Sequence, residues 1–168
     1  MASPGPWSRP PEGMPGRGET EGFAQRTRKN LDFIISAHQH ENADVHVVTQ
    51  AVLSLLGIVV FPFERLLADG LWYNPNLEDL ESQGWPRWRY ASGSKVPTSL
   101  WQLVRHLRNA TAHSNIAFSS DSRYLHEVEI TFVNKPPHGK WRWEASIQGD
   151  QLVEFCRRFL KNMEGAVG

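Results

Sequence analysis

Residues Ser99–His113, which read SLWQLVRHLRNATAH, predict one amphipathic helix. Apolar side chains recur there at steps of three and four, which is typical of a helix that buries one face. They are Leu100, Leu103, Val104, Leu107 and Ala110. The preceding Pro97–Ser99 supplies a start signal, because hydroxyl side chains cap the free N–H groups of a first turn. Ser114-Asn115 supplies a plausible end.

The same helix carries more polar side chains than is usual for a segment that must be largely buried. They are Arg105, His106, Arg108, Asn109, Thr111 and His113. An Arg-Asn-x-x-x-His pattern indicates chemistry on a phosphate, since arginine grips phosphate oxygens and histidine transfers protons near neutral pH. A purely structural interpretation is also open, in which Arg108 pairs with Glu64 or Glu78 and His113 caps the helix.

Arg108–His113 matches the R-x4-H motif of HEPN domains, with the polar residue that this family commonly shows after the arginine. The upstream helix, His46–Glu64, resembles the second helix of a plasmid- and chromosome-borne HEPN subfamily. The resemblance covers roughly residues 25–163. It implies a mainly α-helical bundle of about four to five helices.

This resemblance implies a metal-independent endoribonuclease, an effector of toxin or defence systems that needs no cofactor. The RNA 2′-hydroxyl attacks the adjacent phosphate and leaves 2′,3′-cyclic phosphate and 5′-hydroxyl ends. Such a reaction needs a base, an acid and fixed positive charge. We assign proton transfer to His113, the phosphate to Arg108, and orientation of His113 or of a phosphate oxygen to Asn109. The alternative is a non-catalytic HEPN module that binds RNA, a nucleotide or a partner protein.

The spacing of the motif bears on the number of chains at the site. Five residues along a helix correspond to a rotation of about 140° and a rise of about 7.5 Å, so Arg108 and His113 do not share a stripe. The resemblance implies that two motif helices pack across a homodimer and that each site draws on both chains. It also implies an RNA substrate and an antitoxin or nucleotidyltransferase as a further partner.

Before the motif helix, the chain predicts a disordered leader over residues 1–22, a single domain over 23–164 and a frayed end over 165–168. The leader is rich in Pro, Gly and Ser and cannot bury enough apolar surface to order itself. Helices are predicted from Gln25 to about His40 and from about Asp44 to Val60. The second is apolar nearly all round, which suggests burial on more than one side. We expect a second copy to cover the other side, in a dimer; the alternative is that later elements of the same chain cover it.

Glu64–Leu71 predicts a short helical turn, and Trp72–Val96 predicts irregular structure because Pro and Gly interrupt it. Within the latter, Trp85-Pro-Arg-Trp-Arg-Tyr90 interleaves aromatic and basic residues. Arg87 and Arg89, together with Arg105, are candidate RNA-binding residues, since such runs stack bases and touch phosphates. The alternative, which we favour for the loop, packs its tryptophans on the core and leaves its arginines in water.

After the motif helix, two segments alternate apolar and polar residues, Leu125–Val133 and Lys140–Ile147. They predict a two-stranded antiparallel β-hairpin with one apolar face, to which Trp141 and Trp143 belong. A lone hairpin is marginal, so this face must lie on helices. The last helix begins at Gly149.

Composition narrows the function classes. The 168 residues hold 18 basic and 18 acidic side chains, so attraction to RNA requires a local patch. The single cysteine, Cys156, excludes an internal disulfide framework and a cysteine-based zinc site. His38, His40 and His46 lie close in sequence, but polar residues at a helix–helix turn explain them better than a metal site. Without a signal peptide or a membrane span, we expect a cytoplasmic protein.

Overall fold

A computed structural model describes residues 17–41, 43–60, 74–135, 138–139 and 141–165. Its helices are α1 (Arg17–Glu41), α2 (Val47–Val60), α3 (Leu77–Ser82), α4 (Leu100–Ala112) and α5 (Gly149–Gly165). Its strands are β1 (Arg89–Tyr90), β2 (Ile116–Phe118), β3 (Glu129–Asn134) and β4 (Trp143–Gln148). A 3-10 helix spans Leu125–Glu127. The described chain is mainly α-helical, as the sequence predicts.

One apolar core joins the helices to the sheet. α2 contacts α1, α4 and α5, and α4 also packs against β3. The largest fully buried side chains come from helices and strands alike and include Leu31, Leu55, Leu103, Leu107, Phe132, Trp143, Phe155 and Phe159. Burial of each such side chain stabilises the fold by about 1.5–3 kcal/mol. Packing of α4 against both α2 and β3 therefore fixes the motif helix in place.

The sheet has four antiparallel strands in the order β1-β4-β3-β2, so the prediction of a two-stranded hairpin is wrong in extent. The predicted hairpin is the central pair, β3 and β4, in which Phe132 lies opposite Ala145. β1 and β2 have only two and three residues, too few to show an alternating pattern. Trp141 precedes β4 and is 52% exposed, so it does not belong to the buried face.

The apolar surface of α2 is covered within the chain, which corrects the expectation that a second copy covers it. Its buried side chains include Val48, Leu55 and Ile58, and three helices of the same chain lie against it. Leu53 is 54% exposed, an isolated apolar side chain on the outer side of this helix. The packing of α2 therefore gives no argument for a dimer.

Several element boundaries differ from the predicted ones. α1 begins at Arg17, so residues 17–22 of the predicted leader are helical. The segment predicted to be irregular, Trp72–Val96, contains α3 and β1. The turn predicted at Glu64–Leu71 lies outside the described residues. None of the described helices combines the length and the apolar character that a bilayer crossing requires.

Helices α3 and α4 begin side by side, each with a side-chain cap. The Asn76 Oδ1 accepts a hydrogen bond from the Glu78 N–H at 2.9 Å, and the Ser99 Oγ accepts one from the Gln102 N–H at 3.4 Å. Asn76 and Ser99 also form an isolated β-bridge with each other. The predicted start of the motif helix is confirmed, and α3 fixes its position.

The C-terminus of α4 is a Schellman motif. The Asn115 N–H donates to the Ala110 carbonyl at 2.8 Å, and the Ser114 N–H donates to the Thr111 carbonyl at 3.0 Å. Ser114 adopts φ 55°, a left-handed conformation that usually belongs to glycine. The predicted end of the helix at Ser114-Asn115 is confirmed, and the reversal leads directly into β2.

Replacing Ser114 by glycine is expected to stabilise the protein. A left-handed conformation costs an L-residue roughly 1–2 kcal/mol, and glycine loses roughly 0.5–1 kcal/mol more backbone entropy on folding. Ser114→Gly should therefore raise the free energy of unfolding by about 0.5–1 kcal/mol in urea titrations. Asn115→Gly is the control, because Ser114 is the only non-glycine residue with positive φ in the described chain. A gain with Asn115→Gly and none with Ser114→Gly would contradict this reading of the turn.

His106 joins α4 to the sheet. Its ring stacks on Trp143, with centroids 4.6 Å apart and planes 9° from parallel, and its Nδ1 lies 2.8 Å from the Asn134 side-chain amide. Asn134 is itself buried. Burial lowers the pKa of His106, and the nearby Arg105 charge lowers it further. Burial between α4 and the sheet thus favours the neutral form of the His106 imidazole.

Acid should therefore destabilise the protein in part through His106. Because the pKa is lower in the folded state than the usual value of about 6.5, the unfolded chain takes up the proton first. The stability that His106 contributes is complete above that usual value and is lost as the pH falls below it. The free energy of unfolding, measured by urea titration from pH 8 to pH 5, should fall more for the wild type than for His106→Gln. Parallel pH profiles would show that the ring titrates as it does in the unfolded chain.

Candidate functional site

The motif side chains lie on the side of α4 that faces away from the core. Residues of the apolar stripe, such as Leu103 and Leu107, are fully buried. Arg105 and His113 are exposed, while Arg108 and Asn109 are half-buried. The 3.6-residue period of the helix thus separates packing from polar chemistry, and a ligand in solvent can reach the motif.

Asn109 orients Arg108. The guanidinium of Arg108 donates from Nε and from an Nη atom to the Asn109 Oδ1, at 3.2 and 3.0 Å. Neighbouring residues on a helix point about 100° apart, so the arginine leans along the surface towards the amide. From the sequence, Asn109 is expected to orient His113 or a phosphate oxygen. In the structure, its amide oxygen accepts both hydrogen bonds from Arg108.

His113 is the C-cap residue of α4. Its backbone N–H donates to the Asn109 carbonyl at 3.2 Å, and its side chain is exposed. Ser114 and Asn115 then reverse the chain into β2, so the imidazole stands at the corner between helix and edge strand.

Arg105 lies on the most exposed ridge of α4. Its guanidinium carbon is 5.2 Å from the centre of the Trp101 ring, one turn earlier in the helix. A cation over an aromatic face is held in place with its charge still available to solvent. Arg105 is therefore near Arg108 on the same helix, as a local basic patch requires.

Arg87 and Arg89 lie on another part of the surface. Arg89 pairs with Ser146 across β1 and β4 and points to the outer face of the sheet, whereas α4 packs on the inner face. Arg87 is 3.3 Å from Glu81, and Arg89 forms an ion pair with Glu129. Arg89 is thus on the opposite face of the sheet from α4, Arg87 lies near Asp150 and Glu154 of α5, and both arginines are engaged with carboxylates.

The tryptophans of the same segment are buried. Trp85 and Trp88 both stand edge-on to Phe155 of α5, with ring centroids 5.7 and 5.4 Å apart. This outcome is the second of the two interpretations of Trp85–Tyr90, in which the tryptophans pack on the core and the arginines stay in water.

The histidines around the connection between α1 and α2 do not form a metal-binding cluster. In the described part of the chain, no group of three or more His, Cys, Asp or Glu side chains is arranged to hold a metal ion. His38 contacts the ring of Tyr124, and His46 lies 3.1 Å from the Thr49 hydroxyl. Cys156 is fully buried, and burial raises the pKa of its thiol to about 12, as suits a core residue.

His106 is the residue near the motif whose surroundings sequence reasoning did not anticipate. It stacks on Trp143 and also borders an open cavity. The spacing of seven residues between His106 and His113 indicates that both lie on the same side of α4, because seven residues bring a side chain back to nearly the same direction on a helix. Asn109 lies between the two histidines on this side of α4.

Comparison with known proteins gives one match. The family model described as HEPN pEK499 p136 matches residues 14–166, which is nearly the whole chain. No curated protein and no solved structure matches. The match includes α4 with Arg108 and His113, all other described helices and the sheet. The chain therefore belongs to the HEPN pEK499 p136 family.

Proposed function

We propose that the protein is a metal-independent endoribonuclease of the HEPN type. The observation that carries the proposal is the arrangement on α4, where an exposed imidazole at the C-cap follows an arginine oriented by its neighbouring amide. Membership of a HEPN family supports the same conclusion. A role as toxin or defence effector rests on the family resemblance alone. It predicts growth arrest on expression that His113→Ala relieves.

The proposed reaction is an in-line transfer within the RNA strand. A histidine takes the proton of the 2′-hydroxyl, whose oxygen attacks phosphorus as the bond to the 5′-oxygen breaks. An acid gives a proton to the departing 5′-oxygen, which leaves a 2′,3′-cyclic phosphate and a 5′-hydroxyl end. Arg108 holds non-bridging phosphate oxygens through the planar guanidinium, and Asn109 keeps that guanidinium in position.

The proposed site is completed by a second copy of the chain. Arg108 and His113 project from α4 about 140° apart, and the reaction needs two proton-transfer groups. His106 lies about 10 Å along the helix from His113, too far to share one phosphate with it. Two α4 helices packed across a two-fold axis would bring one chain's Arg108 to the other's His113. They would also supply two copies of His113, one as base and one as acid.

Cleavage of a labelled RNA in the presence of EDTA tests the activity. His113→Ala should reduce the rate by about 10²–10⁴-fold, as expected for loss of a proton-transfer group. Arg108→Lys should also be impaired, since a lysine keeps the charge but not the planar fork. His126→Ala is the matched control, because His126 is an exposed histidine on the 3-10 helix, away from α4. The products should carry cyclic phosphate ends.

Two outcomes would contradict the nuclease proposal. Cleavage that EDTA abolishes and that survives in His113→Ala would exclude this mechanism. RNA binding without cleavage would favour the alternative of a non-catalytic module. Arg105→Gln should weaken RNA binding in either case, and retention of full affinity in Arg87→Gln and Arg89→Gln would remove those two arginines from the binding surface.

Mixing the wild type with an inactive variant tests whether the site is shared. If the site needs both copies of His113, a dimer of one wild-type and one His113→Ala chain holds no complete site. Random exchange of subunits in an equal mixture should then lower the activity from about one half to about one quarter of that of the same amount of wild-type protein. The same mixture with His126→Ala in place of His113→Ala should keep full activity. An activity that stays at one half in demonstrably mixed dimers would contradict a site that uses His113 of both chains.

A further inference from the structure

A cavity of about 740 Å³ lies beside α4, between the Ala91–Lys95 turn and the start of β4. Its aromatic wall consists of His106, Trp141 and Trp143. The His106 ring lies flat on Trp143 and meets Trp141 nearly edge-on, at 6.1 Å and 79°. This volume is within the range of roughly 300–1,000 Å³ that is typical of small-ligand sites.

The opposite wall is a rigid turn. The Ser94 N–H donates to the Ala91 carbonyl at 3.0 Å, and Gly93 has φ 82°, as the third residue of a type II turn requires. The Ser94 Oγ accepts a hydrogen bond from the Glu144 N–H at 2.9 Å, which ties the turn to β4. A Cβ added to Gly93 would meet nothing within 4 Å, so the tip of this turn borders open space.

The charged side chains of the cavity are arranged asymmetrically. Arg142 donates twice to Glu144, at 2.9 and 2.5 Å, so these two charges compensate each other. Lys95 also lines the cavity, and it forms no ion pair with the described residues. The cavity therefore offers flat aromatic surface together with one available positive charge, which suits a planar heterocycle with an attached phosphate.

The position of the cavity relates it to the motif. His106 precedes Asn109 by three residues on the same side of α4, a rise of about 4.5 Å. Asn109 holds the guanidinium of Arg108. His106 therefore places one wall of the cavity on the helix that carries the motif.

We infer that the cavity formed by His106, Trp141, Trp143 and the Ala91–Lys95 turn is a subsite for an unpaired nucleobase of the RNA strand. This inference rests on the proposed function and specifies its substrate as single-stranded RNA. A base stacked in a double helix cannot reach the exposed face of Trp141, whereas an unstacked base can. Lys95 contacts a phosphate next to that base.

Binding of RNA without cleavage tests the subsite. In the His113→Ala background, a fluorescein-labelled 12-nucleotide single strand and the same sequence as a duplex are titrated by fluorescence anisotropy. Trp141→Ala should weaken binding of the single strand by roughly tenfold, and Trp141→Phe should retain most of the affinity because it keeps a stacking face. Lys95→Gln should weaken binding and reduce its dependence on salt.

The control is Phe118→Ala, which removes a similarly exposed aromatic side chain. Phe118 is 49% exposed on edge strand β2, and Trp141 is 52% exposed at the opposite part of the sheet. The control should leave affinity unchanged, and the duplex should bind without regard to Trp141. Equal affinity of Trp141→Ala and Phe118→Ala for the single strand, with both variants folded by circular dichroism, would overturn the inference.

The subsite and the nuclease proposal can fail separately. Binding that depends on Trp141 in a protein that never cleaves RNA would support the subsite and remove the nuclease. Cleavage that depends on His113, with an unchanged KM in Trp141→Ala, would support the nuclease and overturn the subsite.

Discussion

The structure depends on the burial of one side of α4 between α2 and the sheet. Leu103 and Leu107 are fully buried there, and each contributes about 1.5–3 kcal/mol. An exposed ion pair contributes at most about 1 kcal/mol, so apolar packing and not the polar motif fixes the rotation of this helix. Once the rotation is fixed, the 3.6-residue period presents Arg105, Arg108, Asn109 and His113 to solvent whether or not they bind anything. The apolar packing of α4 thus sets the positions of the motif side chains, and those side chains need not stabilise the fold.

Burial distinguishes the two histidines on this side of α4. His106 stacks on Trp143 and bonds to buried Asn134, and its lowered pKa keeps it neutral at physiological pH. His113 is the C-cap residue, and its side chain is exposed to water. The same side chain is therefore a packing and stacking group at one position and a candidate for proton transfer seven residues later. A histidine in a helix cannot be assigned a role without its surroundings.

Much of this arrangement could be predicted from the sequence, and the reason is that the signals are local. The α4 stripe, its Ser99 cap and the alternation in β3 and β4 depend on neighbours within a few residues. β1 and β2 could not be predicted, since Arg89 is in a strand only through its pairing with Ser146, more than fifty residues later. The six residues of α3 are too few for a periodic pattern. The covering of α2 and the cavity beside His106 depend on which elements meet in space, and composition does not encode this.

The distribution of charge bears on the proposal that a chain of zero net charge binds RNA. Within the described residues, six arginines outside α4 form ion pairs with carboxylates, among them Arg87, Arg89 and Arg142. Helix α4 contains no Asp or Glu, and Arg105 rests on the Trp101 ring. Positive charge is thus compensated at these positions, whereas Arg105 and Arg108 lie on a helix without an acidic residue. A phosphate backbone is attracted by local potential and not by net charge, so under the proposed function a strand would lie along α4 and the adjoining Lys95. That direction runs from the cavity to the C-terminus of the helix, along the side that carries His106, Asn109 and His113.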